Sequence, residues 1–359
     1  MPFLGPVFGN PSNVHHLGRK ARSLLDDCRD RLATVWRAKP SEVVFTSGGT
    51  ESNNLAIFGT ARLFRDKGRH LVTSAIEHHS VLHCFDYLAK KEGFDVTYLP
   101  VNRDGLISTD ALSNALRPDT TLVSLMAANN EIGAIQSVAE FGRICRERGV
   151  FFHTDAVQWF GKEPFEDIHQ FNADLVSICA HKFHGPKGTG ALFIKSPLHP
   201  DPIIFGGGHE NDRRAGTENL AGIAGFTDAS ERFLKNPVFP RKKLWSLTSY
   251  LIRAISQIEG VQVCGSLTHR LSNTAAFTVS GCQSISLLAG LDLEGICASS
   301  GSACSAGSLE PSHVLLALGV EKSLANSLVR FSLGRDSSEE EVQKTIAIFS
   351  NVIKQARSR

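Results

Sequence analysis

The sequence predicts an α/β protein with two parts, a large domain on a mostly parallel seven-stranded sheet and a smaller α+β domain at the C-terminus. Three observations support this prediction. From residue 41 to about residue 195, short β-rich runs alternate with longer amphipathic stretches, which is typical of a parallel sheet with helical crossovers. A stretch rich in proline and lysine follows at 235–243. Beyond it, strand-like and helix-like runs are mixed.

Seven runs in the first part are predicted strands, because each is short and rich in apolar or β-branched residues. In chain order they cover 42–46, 70–74, 95–99, 121–126, 150–154, 174–179 and 190–194. Helical patterns lie between them at 53–67, 81–92 and 138–148, and the last is followed by Gly149, a residue type that often ends a helix. We expect ligands at the carboxyl ends of these strands, where open α/β sheets bind them.

The domain boundary is predicted between residues 234 and 235, so the large domain covers 1–234 and the small domain covers 235–359. The small domain starts with the stretch rich in proline and lysine, followed by a helical run at 244–258. Strand-like runs lie at 261–264, 274–279 and 329–333, and a terminal helix begins at Glu339.

Composition excludes several classes of protein. With 359 residues, of which 42% are hydrophobic and 21% charged, the chain can bury a sizeable core, so it is neither a disulfide mini-protein nor a disordered chain. The 38 Lys and Arg residues against 36 Asp and Glu leave a net charge of +2, without the basic excess typical of nucleic-acid binding. We therefore expect a small-molecule substrate.

Cysteine usage and the lack of targeting segments predict a cytoplasmic protein. The eight cysteines include no C-x-x-C pair and no cluster with histidine at zinc spacing, so we expect a reducing compartment and no metal site. The first residues lack the basic and apolar regions of a signal peptide, and no run of about 18 apolar residues occurs, so no membrane contact is expected.

The stretch Thr-Ser-Gly-Gly-Thr-Glu-Ser at 46–52 follows a predicted strand and opens a helix. Gly48 and Gly49 would let the backbone approach an anion, and the free N–H groups and the Thr50 hydroxyl would bind it. By itself the pattern fits a phosphate site and an ordinary strand-to-helix turn equally well.

Two charged residues favour the phosphate interpretation. Lys182 follows a predicted buried strand, beside a histidine and before a Gly-Pro turn, and a lysine in such a place can act as a Schiff-base amine. Asp155 follows another apolar strand, where a buried carboxylate needs a partner. A carboxylate for a pyridinium nitrogen, a Schiff-base lysine and a phosphate site are the groups that pyridoxal phosphate requires.

The chain resembles cysteine desulfurases of the NifS/IscS type, which are pyridoxal phosphate-dependent enzymes of the fold type I transferase class. The motifs that carry the resemblance occur in the family's order and span nearly the whole chain. They are SGGTES at 47–52, EH at 77–78, NNEIG at 129–133, DAVQ at 155–158, HKFHGPKG at 181–188, GGGHE at 206–210, RAGT at 214–217, SSGSAC at 299–304 and RFSLGR at 330–335.

The resemblance implies roles for the residues around the cofactor ring. Lys182 would bind pyridoxal phosphate covalently and later carry protons, and Asp155 would keep the pyridine nitrogen protonated so that the ring can accept electrons. His78 would stack on the ring and act as acid or base, whereas its neighbour His79 has no such match. Gln158 would donate a hydrogen bond to the phenolic oxygen of the ring.

The resemblance also implies which residues hold the phosphate and the substrate. Gly49, Thr50 and His181 would bind the phosphate, and Asn130 would orient the cofactor or the substrate. Cys179 stands where relatives usually have a serine, and because a thiol is a poor donor we expect one weaker phosphate hydrogen bond.

Three further expectations concern the substrate and the assembly. Arg330 matches the arginine that receives the substrate carboxylate, a task that suits a bidentate guanidinium, whereas Arg335 would be a solvated charge. Thr217 would reach the phosphate in the neighbouring subunit, which implies a homodimer with shared sites.

Cys304 distinguishes desulfuration from transamination and β-elimination, which the same scaffold could support. It lies in a polar loop of small residues, whereas Cys28, Cys84, Cys145, Cys264, Cys282 and Cys297 are expected to be buried small hydrophobes. Its thiolate would attack the sulfur of cofactor-bound L-cysteine, giving L-alanine and a persulfide that loop motion delivers to an acceptor. The acceptor would be a protein such as an iron–sulfur scaffold, or a component of tRNA thiolation.

Two other functions remain open at the level of the sequence. One is another pyridoxal phosphate reaction of the same family, such as that of a selenocysteine lyase or an aminotransferase, which Cys304 disfavours. The other is an inactive, shortened homologue, which the presence of every expected site residue disfavours. Relatives start further upstream with a strand and an Ala-Thr-Thr turn, and housekeeping members carry a longer C-terminal tail that docks the scaffold protein. We therefore expect an upstream start or a shortened chain, and leave the acceptor open.

Overall fold

The computed structural model describes residue 5 and residues 8–301 and 310–358, which divide into two compact units. The first unit consists of Met1–Leu99, Thr109–Ala127 and Ser137–Val238. The second consists of Pro100–Ser108, Ala128–Gln136 and Phe239–Arg359. The second unit therefore starts near the stretch rich in proline and lysine and also takes two short segments from earlier in the chain.

The first unit is built on a sheet of seven strands in its described part, which confirms the predicted fold class. The strands are β1 (Val43–Thr46), β2 (His70–Ser74), β3 (Asp95–Leu99), β4 (Thr120–Ser124), β5 (Phe151–Asp155), β6 (Leu175–Cys179) and β7 (Gly190–Ile194). Their order in the sheet is β1-β7-β6-β5-β4-β2-β3. β7 runs antiparallel to both of its neighbours, and the other pairs are parallel.

Helices connect these strands. They are α1 (His16–Trp36), α2 (Gly49–Leu63), α3 (His79–Glu92), α4 (Thr109–Ala115), α5 (Val138–Glu147) and α6 (Leu220–Phe233). Short 3₁₀ turns lie at Pro40–Glu42, Ile168–Phe171 and Ala180–Phe183. The start of α2 differs from the predicted start at residue 53, because Gly48 adopts φ +153° and turns the chain into the helix directly after it. Thr50 is consequently a first-turn residue.

The second unit has an α+β arrangement, as the sequence predicts. Its elements are α7 (Arg241–Ile255), β8 (Val261–Val263), β9 (Thr274–Val279), α8 (Ser284–Leu293), α9 (His313–Ala317), α10 (Lys322–Ala325), β10 (Val329–Ser332) and α11 (Glu339–Arg357). The strands form an antiparallel sheet in the order β10-β9-β8. A capping box of Ser338 and Glu341 fixes the start of α11. Within the described residues, no helix combines the length and apolar character that crossing a bilayer requires.

The core of the first unit lies on the sheet, and the strands β1, β2, β4, β6 and β7 are buried along their whole length. α2 and α3 cover the sheet with apolar side chains such as Ile57, Val81 and Phe85, which pack with Leu71 and Leu122. Burying each such side chain contributes about 1.5–3 kcal/mol. These covered strands are rich in apolar and β-branched residues, which is why their positions were predictable.

Two histidines lie inside the sheet as neutral hydrogen-bonding groups. The ring of His153 on β5 contacts Ser124 Oγ at 2.7 Å and Ser177 Oγ at 2.9 Å. The ring of His70 on β2 has two threonine hydroxyls as partners. Burial lowers the pKa of both rings, that of His153 to about 3. Each nitrogen has a partner, so the neutral rings fit the core.

We expect the buried ring of His153 to make the fold less stable as pH falls below 6.5. In that range the imidazole of the unfolded chain binds a proton, whereas the folded ring stays neutral down to about pH 3. Protons then favour unfolding, by about 1.4 kcal/mol per pH unit from this residue. His153→Gln, whose amide can still hydrogen-bond, should show a smaller loss of unfolding free energy between pH 7 and pH 5 in urea titrations. Equal losses in both proteins would contradict the assignment.

Candidate active site

The expected site residues of the first unit lie at the carboxyl edge of its sheet. Asp155 ends β5, and its parallel neighbour β6 ends at Cys179, from which the turn Ala180–Phe183 carries Lys182. Gly190 at the start of β7 pairs with Thr46 on one side and with Cys179 on the other. The ends of β1, β5 and β6 therefore meet at one edge, because β7 is antiparallel to both of its neighbours.

Asp155 is a buried carboxylate, 6% exposed, with a donor on each oxygen. Oδ1 accepts a hydrogen bond from the backbone N–H of Val157 at 3.0 Å, and Oδ2 accepts one from Nδ2 of Asn53 at 2.7 Å. Each carboxylate oxygen can accept two hydrogen bonds, so the carboxylate keeps capacity for another donor. Sequence reasoning missed Asn53, because nothing in the sequence shows which residue of α2 faces β5.

His78 is the N-cap residue of α3, and its ring is part of the cap. Nδ1 accepts a hydrogen bond from the backbone N–H of Ser80 at 3.1 Å and lies 2.8 Å from the Ser80 hydroxyl. A nitrogen that accepts from a backbone N–H carries no proton, so the ring hydrogen is on Nε2. His79 is the first residue of α3, and its ring stacks on that of His83.

Gln158 lies after β5 with its amide oriented by a buried lysine. Lys162 Nζ donates a hydrogen bond to Oε1 of Gln158. The amide hydrogens on Nε2 are then free to face a different group, which is the orientation needed to donate to a phenolic oxygen. Lys162 is a second residue that sequence reasoning missed. It lies four residues after Gln158, in the turns that follow β5.

Two glycines at this edge, Gly49 at the start of α2 and Gly190 at the start of β7, leave no room for a side chain. A Cβ on Gly49 would lie 2.7 Å from Cγ2 of Val157, and a Cβ on Gly190 would lie 2.8 Å from Cα of Gly48. The backbone of the glycine loop before α2 is therefore packed against the strand ends, and the first amides of α2 have no carbonyl partner within the helix. This is the geometry of a phosphate site at a helix N-terminus.

An ion pair anchors the loop from the other side. Glu51 accepts hydrogen bonds from the backbone N–H of Ser47 at 2.9 Å and from Arg214 Nε at 2.8 Å. Burial raises the pKa of the Glu51 carboxyl, but the bonds from Arg214 and Ser47 outweigh it and the pKa is lowered overall. The same pair fixes the segment that carries Thr217, whose side chain is exposed in the single chain.

Cys179 and His181 lie together beside the glycine loop. The Sγ atom of Cys179 is 2.9 Å from Nδ1 of His181, and a Cβ on Gly48 would lie 3.7 Å from the same Sγ. Burial raises the pKa of the Cys179 thiol, which is therefore protonated at neutral pH. Burial, with the charges of Lys182 and Lys187, lowers the pKa of His181, so its ring is neutral there.

The expected substrate residues belong to the second unit. Arg330 on β10 donates from Nη1 to the backbone oxygen of Asn130, and burial lowers its pKa while the nearby Glu131 raises it. Arg335 lies on the surface in an ion pair with Asp336 at 3.1 Å, as expected of a solvated charge. The backbone of Ser299 pairs with that of Arg330, and Cys304, five residues beyond Ser299, lies outside the described residues.

The expectation that the remaining cysteines are buried is correct for four of them and wrong for two. Cys28, Cys84, Cys145 and Cys264 are buried, whereas Cys282 is half-buried and Cys297 is exposed. Both exceptions flank α8, where the chain leaves the core in turns at Gly281 and Gly295. Cysteine identity does not specify burial at such turns.

The residues of the first unit fit pyridoxal phosphate. A buried carboxylate with remaining acceptor capacity suits a pyridinium nitrogen, and a helix N-terminus that starts at a tightly packed glycine suits a phosphate. Lys182 follows β6 at the same edge of the sheet, where its amine can reach a ligand held between these two groups.

Comparisons with known proteins agree with this chemistry. Residues 1–345 match the family described as Aminotransferase class-V. The chain is 45% identical over 358 residues to cysteine desulfurase IscS of Dictyoglomus turgidum, covering 99% of this chain and 90% of that protein. It is 43% identical over 358 residues to cysteine desulfurase IscS of Methanosarcina thermophila, covering 100% and 88%. A solved NifS-like protein matches with a TM-score of 0.91 at 34% identity, covering 99% of this chain and 94% of that one.

We expect Cys179→Ser to tighten the binding of pyridoxal phosphate. A hydroxyl is a stronger donor than a thiol, and one neutral hydrogen bond contributes about 0.5–1.5 kcal/mol, a few-fold to roughly tenfold in affinity. The dissociation constant would be measured by titrating the apoprotein. Cys297→Ser, at an exposed cysteine, should leave it unchanged. Unchanged or weaker binding by the Cys179 variant would show that this side chain does not face the phosphate.

Proposed function

This chain belongs to the class-V aminotransferase family as a pyridoxal phosphate-dependent cysteine desulfurase, and we propose that it passes the sulfur of L-cysteine through Cys304 to an acceptor protein. The observation that supports this most is the placement of Asp155 and Lys182 at the ends of two adjacent parallel strands. That pair provides a carboxylate and an amine for one cofactor ring, beside a loop built for a phosphate.

Pyridoxal phosphate, when bound, supplies an electron sink that weakens bonds at the α and β carbons of an amino acid. Asp155 would bind the ring nitrogen with the acceptor capacity that Val157 and Asn53 leave free, and its negative charge would hold a proton on that nitrogen. Gln158 would donate from Nε2 to the phenolic oxygen, because Lys162 occupies its Oε1.

Lys182 and His78 are the groups proposed to move protons. The Nζ of Lys182 would bind the cofactor covalently and, once displaced by the substrate, would accept and return a proton as a free amine. The Nδ1 atom of His78 is held by Ser80, so Nε2 is the atom that would face the ring and exchange a proton.

Arg330 is the proposed receptor for the substrate carboxylate. One N–H of its guanidinium binds the backbone of Asn130, which orients the group and leaves other N–H donors for a bidentate contact with a carboxylate. Asn130 would also contribute its side chain to positioning the cofactor or substrate. Burial of the guanidinium strengthens such a contact, because less water competes for it.

The thiolate of Cys304 would accept the sulfur atom of the substrate. Its attack on the substrate sulfur forms an S–S bond and breaks the Cβ–S bond, and the electron pair of the broken bond stays with the carbon, which takes a proton to become the methyl group of alanine. The product on the protein is a persulfide, which is a sulfur donor for iron–sulfur cluster assembly or tRNA thiolation. We propose a protein acceptor and a cytoplasmic location.

A homodimer with shared sites completes the proposal. Thr217 follows Gly216, which has φ +102°, and is exposed while Arg214 beside it is tied to Glu51 at the glycine loop. An exposed hydroxyl so close to one phosphate site would be available to the site of a second copy.

Lys182→Ala should abolish both turnover and covalent attachment of the cofactor, because the amine is lost. Borohydride reduction followed by peptide mass spectrometry measures the attachment. Lys187→Ala is the matched control, since Lys187 lies five residues further on and is exposed. The assignment fails if the Lys182 variant stays active with the cofactor attached to a different lysine.

Cys304→Ser should bind pyridoxal phosphate and L-cysteine but form neither alanine nor a protein persulfide, because a hydroxyl does not attack sulfur at neutral pH. Alanine is quantified by chromatography and the persulfide by mass spectrometry after alkylation. Cys297→Ser, at an exposed cysteine, should retain both products. A persulfide on another cysteine with normal alanine yield would remove Cys304 from this role.

A further inference from the structure

We propose that Asn53 is a positioning residue that links the Asp155 carboxylate to the His78 imidazole through the Ser80 hydroxyl, so that the two groups are oriented together. The proposal rests on the proposed function insofar as Asp155 and His78 face the cofactor. Asn53 is not among the expected site residues. It lies on α2, between the end of β5 and the start of α3.

The side-chain amide of Asn53 uses both of its hydrogens on this network. Asn53 is 1% exposed, and its Nδ2 donates to Asp155 Oδ2 at 2.7 Å and to Ser80 Oγ at 2.9 Å. An amide nitrogen has two hydrogens, so these two contacts exhaust its donors. A single side chain thereby fixes the distance between α2, β5 and the start of α3.

The groups at the two ends of the network, the Asp155 carboxylate and Nδ1 of His78, fix the direction of each hydrogen bond between them. Asp155 can only accept as a carboxylate, so Asn53 presents Nδ2 to it and also donates to Ser80 Oγ. Ser80 then has one hydroxyl hydrogen, which it donates to Nδ1 of His78 at 2.8 Å. The backbone N–H of Ser80 donates to the same nitrogen at 3.1 Å. The result is a ring with its hydrogen on Nε2.

The network orients groups and does not conduct protons. An amide neither gains nor loses a proton in the neutral range, so no proton passes from His78 to Asp155 through Asn53. What the network provides is a fixed carboxylate plane at one end and a fixed imidazole tautomer at the other. Both are conditions for a ring cofactor to be held and for a proton to be exchanged at a defined atom.

A buried oxygen shows that Asp155 determines the orientation of the amide. Oδ1 of Asn53 is buried and, within the described part of the chain, has no hydrogen-bond partner. If the positions of Oδ1 and Nδ2 were exchanged, the amide oxygen would lie against the Asp155 carboxylate, and two acceptors would face each other. The amide therefore presents Nδ2 to Asp155, because a carboxylate only accepts, and Oδ1 is the atom left without a partner among the described residues.

The test uses Asn53→Leu, a change to a side chain of similar size without polar atoms, in the full chain. We expect its apoprotein to bind pyridoxal phosphate about tenfold more weakly, the effect of one hydrogen bond to a charged group. We expect kcat for alanine formation to fall with KM for L-cysteine little changed. The midpoint of thermal unfolding should fall, because the buried Asp155 carboxylate loses one of its donors, so affinity and kcat are measured well below that midpoint.

Two further variants separate positioning from a general loss of structure. Asn54→Ala is the matched control, because Asn54 is the next residue on α2 and its side chain reaches only backbone oxygens of Thr50 and Ser80. It should leave cofactor affinity and kcat unchanged. Ser80→Ala should lower kcat with cofactor affinity retained, and combining it with Asn53→Leu should reduce kcat less than the product of the two single effects.

A spectroscopic measurement on the apoprotein does not depend on turnover. The imidazole ¹⁵N shifts of His78 should show the tautomer with hydrogen on Nε2 in the parent protein. Ser80→Ala removes the hydroxyl donor but keeps the backbone N–H, so it should move the Nδ1 shift while keeping that tautomer. The proposal is overturned if Asn53→Leu keeps the parent's cofactor affinity and kcat. It is also overturned if Asn54→Ala loses cofactor affinity, kcat and unfolding midpoint to the same extent as Asn53→Leu. If the parent makes no alanine, the proposed function fails, whereas the cofactor affinity of Asn53→Leu still decides the role of Asn53.

Discussion

The burial of the Asp155 carboxylate is the constraint on which the site depends. A charge at the end of a covered sheet is costly unless donors surround it, and here the donors come from the backbone just beyond β5 and from Asn53 on α2. Satisfying the carboxylate therefore fixes α2 against β5 in both position and rotation. Because the glycine loop leads into α2, the same contact places that loop relative to the carboxylate.

Close packing of backbone at the strand ends completes that arrangement. Thr46, Gly190 and Cys179 lie in register across three strands, and the central position has no room for a side chain because Gly48 passes over it. The backbone amides of the loop therefore lie at the edge of the sheet where β6 ends and the turn with Lys182 follows. The glycine loop, Lys182 and Asp155 are held by regular structure, which positions side chains more accurately than flexible loops do.

The second unit organises its own part of the chemistry around the segment Ala128–Gln136. Asn130 of that segment binds Arg330, and Glu131 accepts a hydrogen bond from Ser312 at 2.5 Å. Glu131 also lies where a Cβ on Gly301 would meet it, at 2.7 Å. The segment thus contacts β10 and both described flanks of the stretch that contains Cys304. A carboxylate and a guanidinium in this setting stabilise each other through their opposite charges.

The sequence by itself determined the class of fold and predicted which residues to propose for the chemistry, because both depend on local information. Strands such as Gly190–Ile194 are apolar over their full length, and the positions of Asp155 and Lys182 follow from the ends of their strands. Tertiary structure alone decided that Asn53 and Ser80 join Asp155 to His78, since those contacts cross between elements far apart in the chain. It also decided that Pro100–Ser108 and Ala128–Gln136 belong to the second unit and that Cys297 is exposed. Periodicity and residue type indicate the secondary structure that a segment prefers. These contacts and exposures depend instead on which distant parts of the chain pack against the segment.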